Sequence, residues 1–357
     1  MSPKITTVVF DMDGVITTEE KYWACARLTV WEVVTQVLGL ADALPTPLHA
    51  ASIRESIIPD SLIYALKGRS VNSNWDITFV VVCVYLAALA GGRASSSDTP
   101  DALFAVLRQQ NLVAPPWPEA LVAFLNSATV DGRDLVEYAG RWAEHALGSR
   151  APGLFDPEGA LWWALHRRFQ RFYHGEALRE YGAPLLEDGT VLPADQIVAT
   201  LDRLDQMGFT LATATGRPID ELEDALAALH VLRFFGNRLG TLDKVREAER
   251  ILGVVGLVKP HPYSLLYALH PDRPVSALMD AQFASLPRPQ VVMVGDSTSD
   301  ILMGKAGGCQ TVGVMTGVRG VKAKEVRRQI LIKVGADVIL EDITELPGYL
   351  ERLNQTA

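Results

Sequence analysis

The sequence predicts an α/β protein, a doubly wound parallel sheet interrupted by an inserted all-helical domain. Three features of the chain predict it. A β-branched apolar run near the start, Ile5 to Phe10, stops abruptly at Asp11-Met12-Asp13-Gly14. From Val15 to about Pro193 the pattern is helical, with no convincing strand alternation and no internal repeat. After Pro193 strand-like and helix-like segments alternate, the rhythm of βαβ units whose strands pair in parallel. The first strand is useful only if it rejoins that later sheet. Residues 1–17 and 187–357 are therefore assigned to the core, and residues 18–186 to a helical insert.

The opening strand is a short run of β-branched and apolar residues without polar alternation, as expected where both faces of a sheet are covered. Within the insert, helices are expected over Glu19–Leu38, Ile53–Leu66 and Ile77–Ala90. The last of these, ITFVVVCVYLAALA, is uncharged. It is too short for a bilayer, which takes roughly 20 residues, and is expected to be a buried helix. Gly91–Pro100 has the composition of a flexible loop. A short helix follows over Asp101–Gln110, capped by Thr99 or Asp98. After a proline-rich break at 114–118, helices are expected over Glu119–Ser127, Asp131–Leu147 and Pro157–Tyr173. In the last, Leu161, Leu165, Phe169 and Phe172 form an apolar stripe, with Arg167, Arg168 and Arg171 off it. That helix is either a core helix with a solvated basic face or a surface for a phosphorylated substrate. In the core, strands are expected at Phe209–Ala214, Val231–Phe235, Gln290–Val294, Thr311–Val314 and Asp337–Ile339, with helices between.

Composition bounds the function. A chain of 357 residues suffices for two domains with their own cores, and 48% hydrophobic with 21% charged residues is ordinary for a globular protein. A net charge of −9 argues against non-specific nucleic-acid binding. Cys25, Cys83 and Cys309 are few and far apart, which argues against a disulfide framework and fits a reducing cytoplasm. The start Met-Ser-Pro-Lys-Ile leads into the first strand without an apolar signal stretch, and no membrane span is expected.

The candidate chemistry sits where predicted strands end. Asp11 and Asp13 are close enough to repel and need a proton or a cation between them. Thr213-Ala214-Thr215-Gly216-Arg217 closes a second strand, Lys259-Pro260 precedes a helix, and Gly295-Asp296-Ser297-Thr298-Ser299-Asp300 is an acidic turn after a third strand. Open α/β sheets place their sites at these carboxyl ends. The four segments, in this order, resemble the four motifs of the haloacid-dehalogenase-like (HAD) superfamily, and the insert stands where that family carries its C1-type helical cap.

The resemblance implies a Mg²⁺-dependent phosphatase acting on a small phosphorylated metabolite. A cation must hold both an anionic phosphoryl group and an attacking carboxylate. Asp11 is then the nucleophile, forming an aspartyl-phosphate, and Asp13 the acid and base for leaving oxygen and water. The backbone carbonyl of Asp13, with Asp11 and Asp296, is implied as metal ligand; Asp300 either touches the metal or acts from behind it, or is simply a helix-cap acid. Thr215 and Gly216 are expected to bind the phosphoryl oxygens, although Thr213 also fits a strand-end hydroxyl. Lys259 supplies fixed positive charge to nucleophile and substrate. Arg217 is expected either to reach the substrate or to form a surface ion pair, and His261 to be a neighbour only. The dehalogenases of the family lack the second aspartate, so Asp13 favours phosphoryl transfer. A phosphomutase resembling β-phosphoglucomutase and a non-catalytic binding module on the same fold are the alternatives.

Overall fold

Six parallel strands form one sheet in the order β3-β2-β1-β4-β5-β6: β1 Thr7–Phe10, β2 Thr210–Ala214, β3 Leu239–Gly240, β4 Arg288–Gly295, β5 Cys309–Val314 and β6 Val338–Leu340. The structure is a computed structural model and describes residues 4–40, 50–90, 98–110, 112–114, 117–148, 151–318 and 320–356. It divides into two compact units, residues 1–19 with 188–357, and residues 20–187.

The α/β unit is built around β1. Val8, Val9 and Phe10 have no exposed surface. Val8 and Phe10 join a cluster with Ile197, Leu201 and Leu346 on one face, whereas Val9 joins Ala212, Leu265 and Met303 on the other. Helices thus cover both faces, which is why the strand has no polar alternation. Phe10 lies level with Thr213 of β2 and Val294 of β4. The strand order reverses at β1, with β2 and β3 to one side and β4 to β6 to the other. Such a switch point opens a crevice at the strand ends. Asp11, Thr215 and Asp296, each following the last residue of its strand, are delivered to it.

Val231–Phe235 is not a strand. Leu232–Phe234 is a short 3-10 turn, and the edge strand is Leu239–Gly240. The buried residues of this stretch are Val231 and Phe235, four apart, one helical turn rather than the alternation of a pleat. Phe235 packs edge-on against Phe10 at 6.4 Å.

The insert unit is helical throughout its described elements. The expected helix over 53–66 is two helices, Ala50–Ile57 and Asp60–Gly68. Pro59 separates them, since proline offers no N–H to a continuing helix. The first helix runs Glu20–Glu32 and continues as a π-helical turn, Val33–Val37. The apolar run is the buried helix Asn74–Ala90, and among the described residues no helix is long and apolar enough to cross a membrane. Of the two candidate caps, Thr99 accepts from the Ala102 N–H and opens the helix Pro100–Arg108. Residues 91–97 of the expected loop, Pro115 and Pro116 of the proline-rich break, and Met1–Pro3 lie outside the described residues.

In the helix Ala160–Tyr173 the stripe Leu161, Leu165, Phe169 and Phe172 is buried. Arg168 donates to Glu32 Oε2 at 2.7 Å, and Arg171 pairs with Glu180. Glu32 is itself buried and also accepts from the Tyr181 hydroxyl at 2.9 Å. Two of the three arginines therefore serve the internal ion network of this unit, which supports the core-helix reading.

Candidate active site

Asp11 follows β1 and is buried, with its backbone N–H donating to Val294 O at 2.9 Å. The loop after β4 brings Asp296 and Asp300 to the same place. Asp11, Asp296 and Asp300 each offer an oxygen, and these oxygens lie within 4.8 Å of one another. Lys259 spans the cluster, its Nζ 2.7 Å from Asp11 Oδ1 and 2.7 Å from Asp300 Oδ1. Burial, and next the Asp300 carboxylate, push the Asp11 carboxyl well above the usual carboxylate range, and Lys259 offsets only part of this. Burial pulls the Lys259 ammonium down, but Asp11 and Asp300 raise it by more, so it stands above the ordinary lysine value. Three hard oxygen donors whose repulsion Lys259 relieves only in part suit a divalent cation.

Two glycines make room for Asp296. A Cβ on Gly14 would stand 2.3 Å from Asp296 Oδ2, and one on Gly317 only 1.7 Å from it. Gly14 also has φ +82°, a conformation that L side chains rarely adopt. The obstructed atom is the end of a side chain, so the chain can still fold. Gly317→Ala is therefore expected to leave the melting temperature nearly unchanged but to weaken Mg²⁺ binding at least about tenfold by displacing the carboxylate. Titration calorimetry checks it, and unaltered affinity would remove Asp296 from the cation site.

Of its expected uses, Asp300 displays that of a helix-cap acid, and it also meets Lys259. It occupies the third position of the helix Thr298–Ala306 and closes a reciprocal cap with Ser297. Its Oδ2 accepts from Ser297 N at 3.1 Å and Ser297 Oγ at 2.6 Å, and its N–H donates to Ser297 Oγ at 3.3 Å. The cap fixes one oxygen and leaves Oδ1 for Lys259.

Asp13 turns its carboxylate to Arg217. Nη2 donates to Asp13 Oδ1 at 2.6 Å, Nε donates to both Asp13 oxygens at 3.2 Å, and Nη1 reaches Asp188 Oδ1 at 2.9 Å. Of the two uses the sequence left open for Arg217, the structure exhibits an ion pair, but a buried one. Thr215 stands one residue beyond β2, its N–H donating to Gly240 O at 2.9 Å and its hydroxyl accepting from Arg217 N at 3.2 Å. Thr213 lies back in the sheet, level with Phe10, and its buried hydroxyl has no hydrogen-bond partner among the described residues. Gly216 is exposed with open space about it. His261 Nδ1 accepts from Tyr263 N at 3.2 Å, inside its own turn.

Sequence reasoning missed Ser297, Asp188 and Gly317. Ser297 was legible, because Ser-x-x-Asp before a helix is a capping pattern. Asp188 and Gly317 give no local signal, since their partners lie far along the chain.

The chain is similar to known proteins in sequence and in fold. A family model described as HAD-hydrolase-like matches residues 257–346, the stretch that holds Lys259, Asp296 and Asp300. A phosphoglycolate phosphatase of Haemophilus influenzae is 31% identical over 137 residues, 38% of this chain and 50% of that protein. The chain thus spans about half the length of curated relatives such as this one. A phosphoglycolate phosphatase of Pectobacterium atrosepticum is 27% identical over 250 residues, 69% of this chain and 86% of that protein. A structural-genomics target solved by X-ray crystallography superposes with a TM-score of 0.76 at 25% identity, covering 99% of this chain and 100% of that one. In its matched segment, in these relatives and in a parallel sheet whose switch point gathers the acidic cluster, the chain is similar to HAD-like hydrolases.

Proposed function

We propose that the protein is a Mg²⁺-dependent phosphatase that hydrolyses a small phosphate monoester through an aspartyl-phosphate on Asp11. The observation that carries this reading is the convergence of Asp11, Asp296 and Asp300 within 4.8 Å under the Lys259 ammonium. Asp11, Asp296, Asp300 and the Asp13 backbone carbonyl are the groups that would hold Mg²⁺. When bound, the cation neutralises the phosphoryl oxygens and lets a carboxylate approach them.

The remaining work falls to the chain's own residues. Asp11 attacks phosphorus while Asp13 gives a proton to the leaving oxygen, and Asp13 then takes a proton from the water that cleaves the acyl phosphate. Thr215 and the Gly216 N–H bind the phosphoryl oxygens. Lys259 offers them a fixed positive charge and aligns Asp11, with Asp300 holding the ammonium in place. The activity for which those relatives are named makes phosphoglycolate the first natural ester to try.

The test is hydrolysis of 4-nitrophenyl phosphate and phosphoglycolate by the purified protein with Mg²⁺ and with excess EDTA. Turnover with Mg²⁺, lost on chelation and restored by added Mg²⁺, is expected. No phosphate release from either ester, or release indifferent to EDTA, would count against the reading.

Cation binding is also expected to depend on pH. A proton on Asp11 competes with Mg²⁺, and the Asp11 carboxyl is raised above the ordinary range of about 4. Affinity should therefore rise with pH through that raised value and level off above it. Calorimetry at several pH values from acid to neutral measures this, and a flat profile would exclude Asp11 as a ligand.

A further inference from the structure

One buried guanidinium is shared by two carboxylates from opposite ends of the insertion. Asp13 lies just after β1, and Asp188 is the first residue of the α/β unit when the chain returns to it. Arg217 is 1% exposed, and the Asp13 and Asp188 side chains are 22% and 12% exposed, so water screens these charges little. Nε and Nη2 serve Asp13, and Nη1 serves Asp188 at 2.9 Å. Thr17 is drawn into the same knot, its hydroxyl accepting from Nη2 at 3.0 Å and donating to Asp13 Oδ1 at 3.0 Å. A guanidinium is a rigid plane. What Asp188 holds at one edge therefore governs how the other edge meets Asp13.

We infer that Asp188 is a positioning residue: acting through Arg217, it sets how firmly the Asp13 carboxyl is held, and so how readily that group reaches the leaving oxygen. The inference rests on the reading of Asp13 as the acid of the proposed phosphatase. Asp188 repels the Asp13 carboxylate and occupies one of the guanidinium's donors, which offsets part of the pull of Arg217 on Asp13. With Asp188 neutralised, that offset is lost, and Arg217 holds Asp13 more firmly and keeps it from the substrate.

The step affected is defined. As the bond between Asp11 and phosphorus forms, the bond from phosphorus to the ester oxygen breaks, and the proton on Asp13 passes to that oxygen. An alkoxide needs the proton; 4-nitrophenolate, a much weaker base, leaves without it. Loss of Asp13 positioning is therefore selective for alkyl esters, whereas a purely structural defect slows alkyl and aryl esters alike.

The experiment compares kcat/KM for ethyl phosphate and 4-nitrophenyl phosphate, with Mg²⁺, in the full chain. Asp188→Asn is expected to lower the alkyl-to-aryl ratio at least about tenfold, part of the roughly 10²–10⁴ that general acid catalysis supplies. Asp188→Glu, which keeps the charge, should restore the ratio towards wild type. An equal fall for both esters, or an unchanged ratio, overturns the inference. Should Asp188→Asn fail to fold, Arg217→Lys carries the test in the opposite sense: one ammonium cannot reproduce the bidentate hold, Asp13 is released and the ratio should rise, and an unchanged or lower ratio overturns the inference. A wild-type protein inactive on both esters overturns the phosphatase reading and this inference with it. An active wild type whose variants keep its ratio overturns this inference alone.

Discussion

Asp11→Asn is expected to lower kcat by at least about 10⁴-fold while the metal-free protein melts no lower than wild type. The two halves of this expectation share one cause. Asp11 is buried beside Asp300, and burial with that repulsion holds its carboxyl above the usual range even though Lys259 is 2.7 Å away. The folded state thus bears a cost for the charged form that an unfolded chain does not. A raised carboxyl favours folding at low pH, where it is protonated, and loses that advantage as pH rises through its folded value. Asn has the same shape and no charge, so its gain in stability over wild type should be small in acid and grow towards neutral pH. It cannot, however, form an acyl phosphate. Initial rates and thermal melts at two pH values measure both halves. Full activity in this variant would dismiss Asp11 as the nucleophile.

Lys259→Met should damage both properties at once. The ammonium is the shared partner of Asp11 and Asp300, both buried. Removing one member of a buried ion cluster leaves the others uncompensated and costs about 3 kcal/mol or more. Activity should fall by about 10²–10³-fold, the effect of losing a single fixed electrostatic donor. A bound divalent cation replaces part of the missing charge, so Mg²⁺ should raise the variant's melting temperature by more than it raises that of wild type. An equal Mg²⁺-induced shift in the two proteins would mean that Lys259 and the cation do not answer the same carboxylates. A variant as active as wild type would take Lys259 out of the mechanism.

The parts of this site that were legible beforehand are those whose chemistry is carried by neighbours in sequence. Asp11 and Asp13 are two apart at the end of a strand that finishes in Val8-Val9-Phe10, and that juxtaposition of types has few structural uses. Asp296 and Asp300 share one turn. The preference for Thr215 over Thr213 rests in the sequence on Thr-Gly-Arg-Pro alone, because alternation points both to the same side. Register separates them: Thr213 pairs with Phe10 inside the sheet, and Thr215 lies beyond its end. The expected strand at Val231–Phe235 failed for a related reason. Its apolar residues fit a pleat in composition, but the ones that bury are spaced as on a helical turn, and burial is a property of neighbours that the local sequence does not name.

The sequence by itself determined the class of fold, the place of the helical insertion and the set of charged groups, because apolar periodicity and strand-end chemistry are local and survive being read in one dimension. The tertiary structure decided who faces whom. Lys259 meets two carboxylates that stand 248 and 41 residues from it in the chain, and Arg217 joins Asp13 to Asp188 across the whole insertion. Electrostatic partnership falls with distance in space, not along the chain, and only the strand order that puts β1 between β2 and β4 brings those distances down to a hydrogen bond.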